Sequence, residues 1–447
     1  MTRVVVVGGG LAGITAALEC VDGGAQVTLL ESRPRLGGLT YSWRRGELDV
    51  DNGQHVFLRC CTAYRALLER LGVTALTALQ DRLDIPVVST PDGHVARLRR
   101  VDLPSPLHLG PALLRYRPVR PRQRLRAVRA ALALSHVDRT DPATDRSSFA
   151  DWLQAHGQDA RTVAALWDLV GTATLNARAH EASLSLAAMV FQVGLLGAPD
   201  AADIGWSRVP LQRLHGDAAH DRLVEAGGQV HTSVKVTGIE PDGAGWSVVA
   251  GERAYPADQV VVAVPPAVAE ALLPAGTVTA PPGWAATLGR APIVNVHIVL
   301  AERVLDEPFL AVVGSPVQWV FDRTEPAGLA RGQYLALSVS AADDYVDEPV
   351  ARLREIFLPE LERVLPAIRS AAMLDFFVTR ERAATMRSGP GRAALRAPAR
   401  TARPGLVLAG AWTDTGWPDT MEGAVRSGQT AARVVLGQLA AHEEVAT

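Results

Sequence analysis

Lysine is almost missing: Lys235 is the only one in 447 residues, and arginine supplies the rest of the 45 basic side chains. Set against 47 acids they leave a formal charge of −2, so no global field draws the chain to nucleic acid. Cysteine is nearly as scarce. Cys20, Cys60 and Cys61 cannot all pair within one chain and show no CxxC spacing. A disulfide framework and a metal centre are therefore not expected, and a reducing cytoplasm suits the thiols. No uncharged apolar run reaches 18 residues, so no transmembrane helix is expected. The apolar start from residue 4 to about 20 is broken by three glycines, and no small-residue cleavage site follows it, which argues against a secretory signal. Repeats of fixed period are absent too.

What the chain does have is a globular balance, with 48% hydrophobic and 21% charged residues. Its length exceeds one ordinary hydrophobic core, and two domains are expected. Residues 4–7 form a β-branched run that reads as a buried parallel strand. Leu11, Ile14, Ala17 and Leu18 then recur at helical spacing, and 27–30 is a second strand. This is a βαβ unit of about thirty residues. The α/β signals return after 205, with an apolar strand over 258–264, and again after 400, with a strand at 406–409 and a helix over about 422–439. Segments 1–85, 205–268 and 400–442 are accordingly assigned to one nucleotide-binding domain. Segments 86–204 and 269–399 form a second domain inserted twice, and 443–447 is a tail. The second domain carries helical patterns at 123–136, 160–169 and 352–365 and strands near 293–300, 318–321 and 334–339.

Gly8-x-Gly10-x-x-Gly13 sits between the first predicted strand and helix. A GxGxxG alone is weak, because glycine-rich turns are common. In this position each glycine meets a distinct need. Gly8 permits the tight turn, Gly10 lets backbone approach a pyrophosphate, and Gly13 lets the helix pack on the strand. The free N–H groups of the helix start then face the phosphates. Glu31 ends the second strand, 18 residues after Gly13, where a carboxylate accepts ribose hydroxyls and disfavours a 2′-phosphate. A second glycine pair, Gly37-Gly38, follows Arg33 and Arg35. Asp51-Asn52-Gly53-Gln54-His55 is either a polar turn or a loop that passes a cofactor ring, and His55 has the one side chain in it that titrates near neutral pH. Near the C-terminus, Gly410 to Ala424 runs from a strand through a Gly/Pro/Thr-rich turn into a helix start, whose N–H groups can stabilise negative charge on a reduced ring.

The fingerprint, the Gly37-Gly38 pair, the strand from Ala257-Asp258 to Pro265 and the Gly423-Ala424-Val425-Arg426-Ser427-Gly428 helix together resemble the amine oxidase/phytoene desaturase superfamily of FAD proteins. Three stretches are more specific: the 51–55 loop, Trp319-Val320-Phe321-Asp322-Arg323, and Thr415-Gly416-Trp417-Pro418 with Thr420-Met421-Glu422-Gly423-Ala424. They are similar to the bacterial hydroxysqualene dehydroxylases, also called squalene-associated FAD-dependent desaturases. The resemblance spans nearly the whole chain and is weakest from 90 to 200. It implies an α/β fold: an FAD-binding Rossmann-like domain of glutathione-reductase type, interleaved with an α+β substrate domain of mixed sheet and helices. It implies FAD contacts from Gly8, Gly10, Leu11, Ala12, Gly13, Glu31, Ser32, Arg33, Gly37, Gly38, Leu39 and Thr40. Further contacts are expected from Asn52, Gly53, Gln54, His55, Val234, Val236, Ala263, Gly410, Asp414, Thr420, Met421, Glu422 and Ala424. Two positions depart from the pattern. Leu39 stands where relatives have arginine, which leaves Arg33 or Arg35 for any cationic contact, and Ala411 stands where many relatives place an acid.

The implied reaction is reductive removal of the allylic hydroxyl of hydroxysqualene, giving squalene, water and oxidised flavin, in squalene and hopanoid biosynthesis. The donor that reduces the flavin is not written in the sequence. Loss of the hydroxyl needs an acid; His55 is the first candidate, with Asp51 to orient it or relay a proton. Asn295 and His297 alternate with valines and so share a strand face, as pocket contacts or as a satisfied polar pair. Asp322 and Asp414 are weaker alternatives. Seven arginines over 115–129, near Leu107, Leu109, Leu113 and Leu114, read as a solvated helix face or, more sharply, as a collar for anionic lipid head groups. A C30 substrate would arrive from the bilayer, which places the protein in the cytoplasm, peripheral at the inner face of the membrane. The rivals are a carotenoid desaturase running the flavin in the opposite direction, an amine oxidase, and a non-catalytic prenyl-binding protein of the same fold. The intact glycine fingerprint and Glu31 argue against the last.

Overall fold

The computed structural model describes residues 2–90 and 93–446, with side chains through Gln438. Arg3–Val7 is the middle strand of a five-stranded sheet. Gln26–Leu30 and Gln229–His231 lie on one side of it, Gln259–Val262 and Leu406–Leu408 on the other, and every pair is parallel. Arg3–Val7, Gln259–Val262 and Leu406–Leu408 are buried along nearly their whole length and read as apolar runs, whereas the edge strand Gln229–His231 is only partly buried and does not. Helix Leu11–Asp22 and the C-terminal helix Met421–Ala446 cover one face. They touch at Gly428, where a Cβ would lie 2.3 Å from the Ala12 carbonyl oxygen. The other face packs against an antiparallel meander of Gly238–Asp242, Gly245–Ala250 and Arg253–Ala257.

A second, mixed sheet has seven strands in the order Met373–Thr385, Ala291–Leu300, Gln333–Val339, Trp319–Asp322, Phe309–Val313, Asp84–Ser89 and His94–Arg99. All neighbours are antiparallel except Phe309–Val313 with Asp84–Ser89. Strand Asp84–Ser89 straddles the expected break at 85/86. Strand alternation gives the sheet two different faces. Val294, Val296, Ile298, Leu335 and Leu337 are buried with Leu353, Phe357 and Leu361 of helix Val350–Val364. The opposite face carries Asn295 and His297 and meets the N-terminal segments. Met373–Thr385, the longest strand among the described residues, is not foreshadowed by the sequence pattern. It is a half-exposed edge strand with Asp375, Arg380, Glu381 and Arg382 along it, so no apolar period marks it.

A helical layer completes the fold. Pro121–Leu134, Phe149–Ala155, Asp168–Leu175 and Leu184–Gly194 pack round Phe149, Trp167 and Phe191. The helix expected at 160–169 is present with a π-type turn at Val163–Trp167. Among the described residues no helix is long and apolar enough to cross a membrane.

A buried ion pair ties the second sheet to the N-terminal segments. Asp51 ends Leu48–Asp51, the partner of Ser42–Arg45 in a short hairpin. Its carboxylate accepts the Ser42 hydroxyl at 2.5 Å, the Leu211 N–H at 3.0 Å and Arg323 Nη2 at 2.5 Å. Arg323 directly follows a strand of the second sheet and also donates to the Ser207 carbonyl at 3.3 Å. Both partners are buried, so removing one leaves a charge without compensation. Asp51→Ala should lose about 3–5 kcal/mol of stability in urea denaturation, and pairing Asp51→Leu with Arg323→Met should restore most of it.

Candidate active site

Gly8 adopts φ +106°, and a Cβ on it would lie 2.4 Å from the Ala263 carbonyl oxygen. A Cβ on Gly13 would lie 1.9 Å from the Gly8 oxygen, so the turn is closed to any side chain. The second glycine pair lies against the first turn. Gly37 N–H donates to Gly9 O at 2.8 Å, and a Cβ on Gly38 would sit 2.8 Å from Gly10 Cα. The two loops form one backbone cradle, with Thr40 fastening its own side by donating to Gly37 O at 2.8 Å. Helix Leu11–Asp22 opens into this cradle with no side-chain cap and no acid in its first turn. The N–H groups of Leu11, Ala12 and Gly13 therefore stand outside the helix ladder as donors for a diphosphate.

Glu31 fixes the rim of the cradle. Its carboxylate is buried and accepts Gly9 N–H at 2.7 Å, Arg33 N–H at 2.7 Å and the Ser32 hydroxyl at 3.1 Å. A carboxylate offers about four lone-pair sites, so one remains for a ribose hydroxyl. Val234 N–H holds the Glu31 carbonyl at 2.9 Å, while Val236 is buried in the core against the meander. Arg33 is exposed and braces Glu31 through its backbone N–H. Arg35 lays its guanidinium 3.9 Å from the centre of the Tyr41 ring. Leu39 is exposed, and its carbonyl accepts Asn52 Nδ2 at 2.8 Å.

The C-terminal turn is organised by Arg396, a residue without any sequence signal. Its buried guanidinium donates to the carbonyls of Trp417 at 2.5 Å and Ala411 at 2.6 Å and to Thr415 Oγ1 at 3.1 Å. Gly410 takes φ +141° there, and its N–H donates to Ser427 Oγ at 2.8 Å. Thr420 Oγ1 accepts Gly423 N–H at 3.2 Å and its carbonyl accepts Ala424 N–H at 2.9 Å, leaving the Met421 and Glu422 N–H groups outside the ladder at the helix start. The Glu422 carboxylate does not join them. It accepts the N–H groups of Ala63 at 3.1 Å and Tyr64 at 2.7 Å and the Arg426 Nε at 2.7 Å. It caps helix Thr62–Arg70, whose own N-cap supplies no side-chain bond, so the expected cofactor contact of Glu422 is reduced to its backbone. Asp414 is exposed, with its N–H on the Ala397 carbonyl at 2.9 Å.

A polar cluster lies between the cradle's downstream loop and the second sheet. A Cβ on Gly53 would be 3.3 Å from His55 Nε2 and 3.8 Å from Asn295 Nδ2, so this glycine lets the three approach. Asn295 is fully buried; its Nδ2 donates to Asn52 O at 3.3 Å, and its Oδ1 has no partner. Both amide atoms of Gln54 are also buried without a partner. His55 does not behave as a group titrating near neutrality: burial, with help from Arg323 and against Asp51, pulls it down to about 4. Asp51 neither orients it nor relays to it by a hydrogen bond, because its oxygens are taken by Ser42, Leu211 and Arg323. His297 is a satisfied core residue, held by the Tyr334 hydroxyl at 2.7 Å and Thr379 Oγ1 at 2.9 Å and stacked on Phe377. Asp322 is engaged by Arg303 at 2.9 Å and by Gln333 at 2.7 Å.

Two residues near this cluster escape sequence reasoning. Glu381 accepts Asn52 Nδ2 at 3.3 Å, and burial raises its carboxyl above the usual range. Register pairs Asn295 with Thr379 and Ile293 with Glu381, which places Glu381 on the face of Asn295. His215 is fully buried on a wide turn at Gln212–Asp217, its Nε2 2.7 Å from the Tyr64 hydroxyl. It lies behind the second glycine loop, where a Cβ on Gly216 would be 2.6 Å from Leu36 O. Trp206, Phe309, Trp319 and Phe321 form an aromatic group on the sheet, with centroids 5.6 to 6.2 Å apart.

Burial holds three imidazoles neutral: His55 at about 4, His215 and His297 at about 3, against an ordinary 6.5. Folding therefore gains from them fully above pH 6.5, and that gain is lost as pH falls toward the depressed values, because the unfolded chain takes up the protons first. The melting temperature should drop between pH 7 and 4.5, and the drop should be shallower for His297→Gln. Gly13→Ala should purify with little bound flavin, read from the visible spectrum, because its Cβ collides with the Gly8 carbonyl.

Known proteins resemble this chain in sequence or in fold. The chain is similar to hydroxysqualene dehydroxylase of Rhodopseudomonas palustris, 29% identical over 96% of this chain and 97% of the relative. It is 24% identical to zeta-carotene desaturase of Arabidopsis thaliana, over 97% of this chain and 85% of the relative. Among solved structures, putrescine oxidase superposes with a TM-score of 0.72 at 19% identity, over 98% of this chain and 99% of that one. Cyclohexylamine oxidase from Brevibacterium oxydans superposes with a TM-score of 0.70 at 22% identity, with the same coverage. These two share the fold, which is the expected α/β class. The profile of the flavin containing amine oxidoreductases matches residues 11–436, and the chain belongs to that family of flavin-dependent oxidoreductases.

Proposed function

We propose that the protein binds FAD and reductively removes the allylic hydroxyl of hydroxysqualene to give squalene. The observation that carries this reading is the unpartnered Asn295 Oδ1, fully buried on a sheet face shared with aromatic side chains. A buried acceptor without a donor costs stability, and an alcohol O–H supplies the missing donor. The similarity to hydroxysqualene dehydroxylases along the whole chain supports the same substrate.

Segments 1–85, 205–268 and 400–442 are the cofactor-binding unit in this reading, and 86–204 and 269–399 the substrate unit. The Gly8–Gly13 and Gly37-Gly38 loops, the N–H groups of Leu11 and Ala12 and the Glu31 carboxylate fit the adenosine diphosphate half of FAD. Gly53 and the Met421–Glu422 N–H groups fit its ring end. Bound and reduced, the flavin supplies the hydride that replaces the hydroxyl. Asn295 orients the substrate oxygen, its own amide fixed by Asn52 O. Glu381 is assigned as the acid that protonates the leaving oxygen, since both it and Asn295 are anchored on Asn52. Neutral His55 completes the polar end of the pocket. The aromatic group at Trp319 and Phe321 offers ring faces to the positive charge that develops on the allylic carbons. A two-electron donor outside the chain must re-reduce the flavin. The protein works in the cytoplasm at the inner face of the membrane, where a C30 isoprenoid resides.

Lys235, the only lysine, lies outside the second sheet, so an amine oxidase that needs a lysine on that sheet is disfavoured. The deciding experiment is anaerobic incubation of reduced protein with hydroxysqualene. Flavin reoxidation with squalene formation is expected; oxidised protein dehydrogenating a polyene instead would make it a desaturase. Asn295→Leu should lower kcat/KM roughly 100-fold. Because the Glu381 pKa is raised and the acid form is the working one, activity should fall as pH rises through it, and Glu381→Gln should remove that limb.

A further inference from the structure

We infer that the outer face of helix Pro121–Leu134 is a docking surface for an anionic lipid bilayer. The helix is apolar on two opposite sides. Ala127, Ala130 and Leu134 face inward and are buried in the helical layer. Leu125, Val128 and Leu132 form a stripe on the opposite side, 56%, 37% and 45% exposed. Their i, i+3, i+7 spacing puts them along one line at 100° per residue. An apolar line at the centre of a solvent-facing side is not what a solvated helix builds.

Charge flanks the stripe. Arg122 and Arg129 border it on one side, both exposed. From 103 to 137 the sequence contains no Asp or Glu at all. The preceding helix Gly110–Arg115 extends the surface with Leu114, 69% exposed, and with Arg115, which lines a groove of about 640 Å³ together with Arg117. An apolar centre rimmed by arginine suits the boundary between head groups and acyl chains, where apolar area and attraction to anionic lipid add. A second copy is a poor occupant, because a two-fold contact through this face would bring its arginines together. The inward face of the same helix packs in the core that includes Trp417 of the C-terminal turn, so the docked surface and the flavin-side turn are one layer apart. The inference rests on the proposed isoprenoid chemistry for its purpose, and on the surface itself for its evidence.

The test is flotation of the intact holoprotein with vesicles of phosphatidylcholine alone or with 30% phosphatidylglycerol. The protein should float with the anionic vesicles and lose most of that binding as salt is raised. Leu125→Ser/Val128→Ser/Leu132→Ser should abolish flotation, and Arg122→Gln/Arg129→Gln should weaken partitioning roughly 30-fold. Both variants should keep the wild-type flavin spectrum and melting temperature. They should turn over substrate normally in detergent micelles and slowly when it is supplied in vesicles. Flotation indifferent to anionic lipid, flotation retained by both variants, or a wild-type dimer that both variants dissociate would each overturn the inference. A protein that floats as described but leaves hydroxysqualene untouched would overturn the proposed reaction and leave the docking surface standing.

Discussion

The Asp51–Arg323 pair is the constraint on which the arrangement of the rest depends. Three segments far apart in sequence converge on it: the hairpin that carries Ser42 and Asp51, the Ser207 and Leu211 stretch, and the second sheet through Arg323. A charge buried this far is tolerated only when its lone pairs are met, and here each Asp51 oxygen has a specific donor. Because the bonds are directional, they fix how the second sheet is presented to the cofactor loops. Hydrophobic contact alone would hold the two together without fixing their orientation.

A similar logic runs through the cofactor end. Glycines there remove side chains where backbone must meet backbone, while the N–H groups of Leu11, Ala12 and Gly13 stay outside the helix ladder at the opening of the cradle. Glu31 and Glu422 then serve two different helices and turns. Glu31 braces the first glycine turn with lone-pair capacity to spare, whereas Glu422 is consumed in capping helix Thr62–Arg70. The leftover N–H donors of Met421 and Glu422 stand outside the ladder at the start of the last helix.

On the second sheet, burial sorts the polar residues by consequence. His297 and Asn295 sit two residues apart on one strand face, yet one is fully satisfied and the other is not. Depressed imidazoles and a raised carboxyl have the same cause, the cost of charge in a dry interior, which lowers His55 and raises Glu381. Asn52 is the hinge of this group, since it holds Leu39, Glu381 and Asn295 at once.

Local chemistry made part of this legible in the sequence. Gly8, Gly10, Gly13 and Glu31 follow from what a dinucleotide demands of a strand–turn–helix, and the parallel strands follow from their unbroken apolar runs, because those demands are met within thirty residues. The alternation in Ala291–Leu300 likewise put Asn295 and His297 on the correct common face. Everything that depends on pairing at long range was hidden. Met373–Thr385 is a strand because neighbours complete its ladder, not because of its own pattern, and Glu381 came with it. Arg396 and His215 carry no periodic signal, and the outward stripe of Pro121–Leu134 is visible only once the inward face is known. The sequence by itself determined the flavin family and the glycine turn that opens the chain. Tertiary structure alone decided which polar groups are left unpaired, because whether a buried donor or acceptor is satisfied is settled by residues hundreds of positions away.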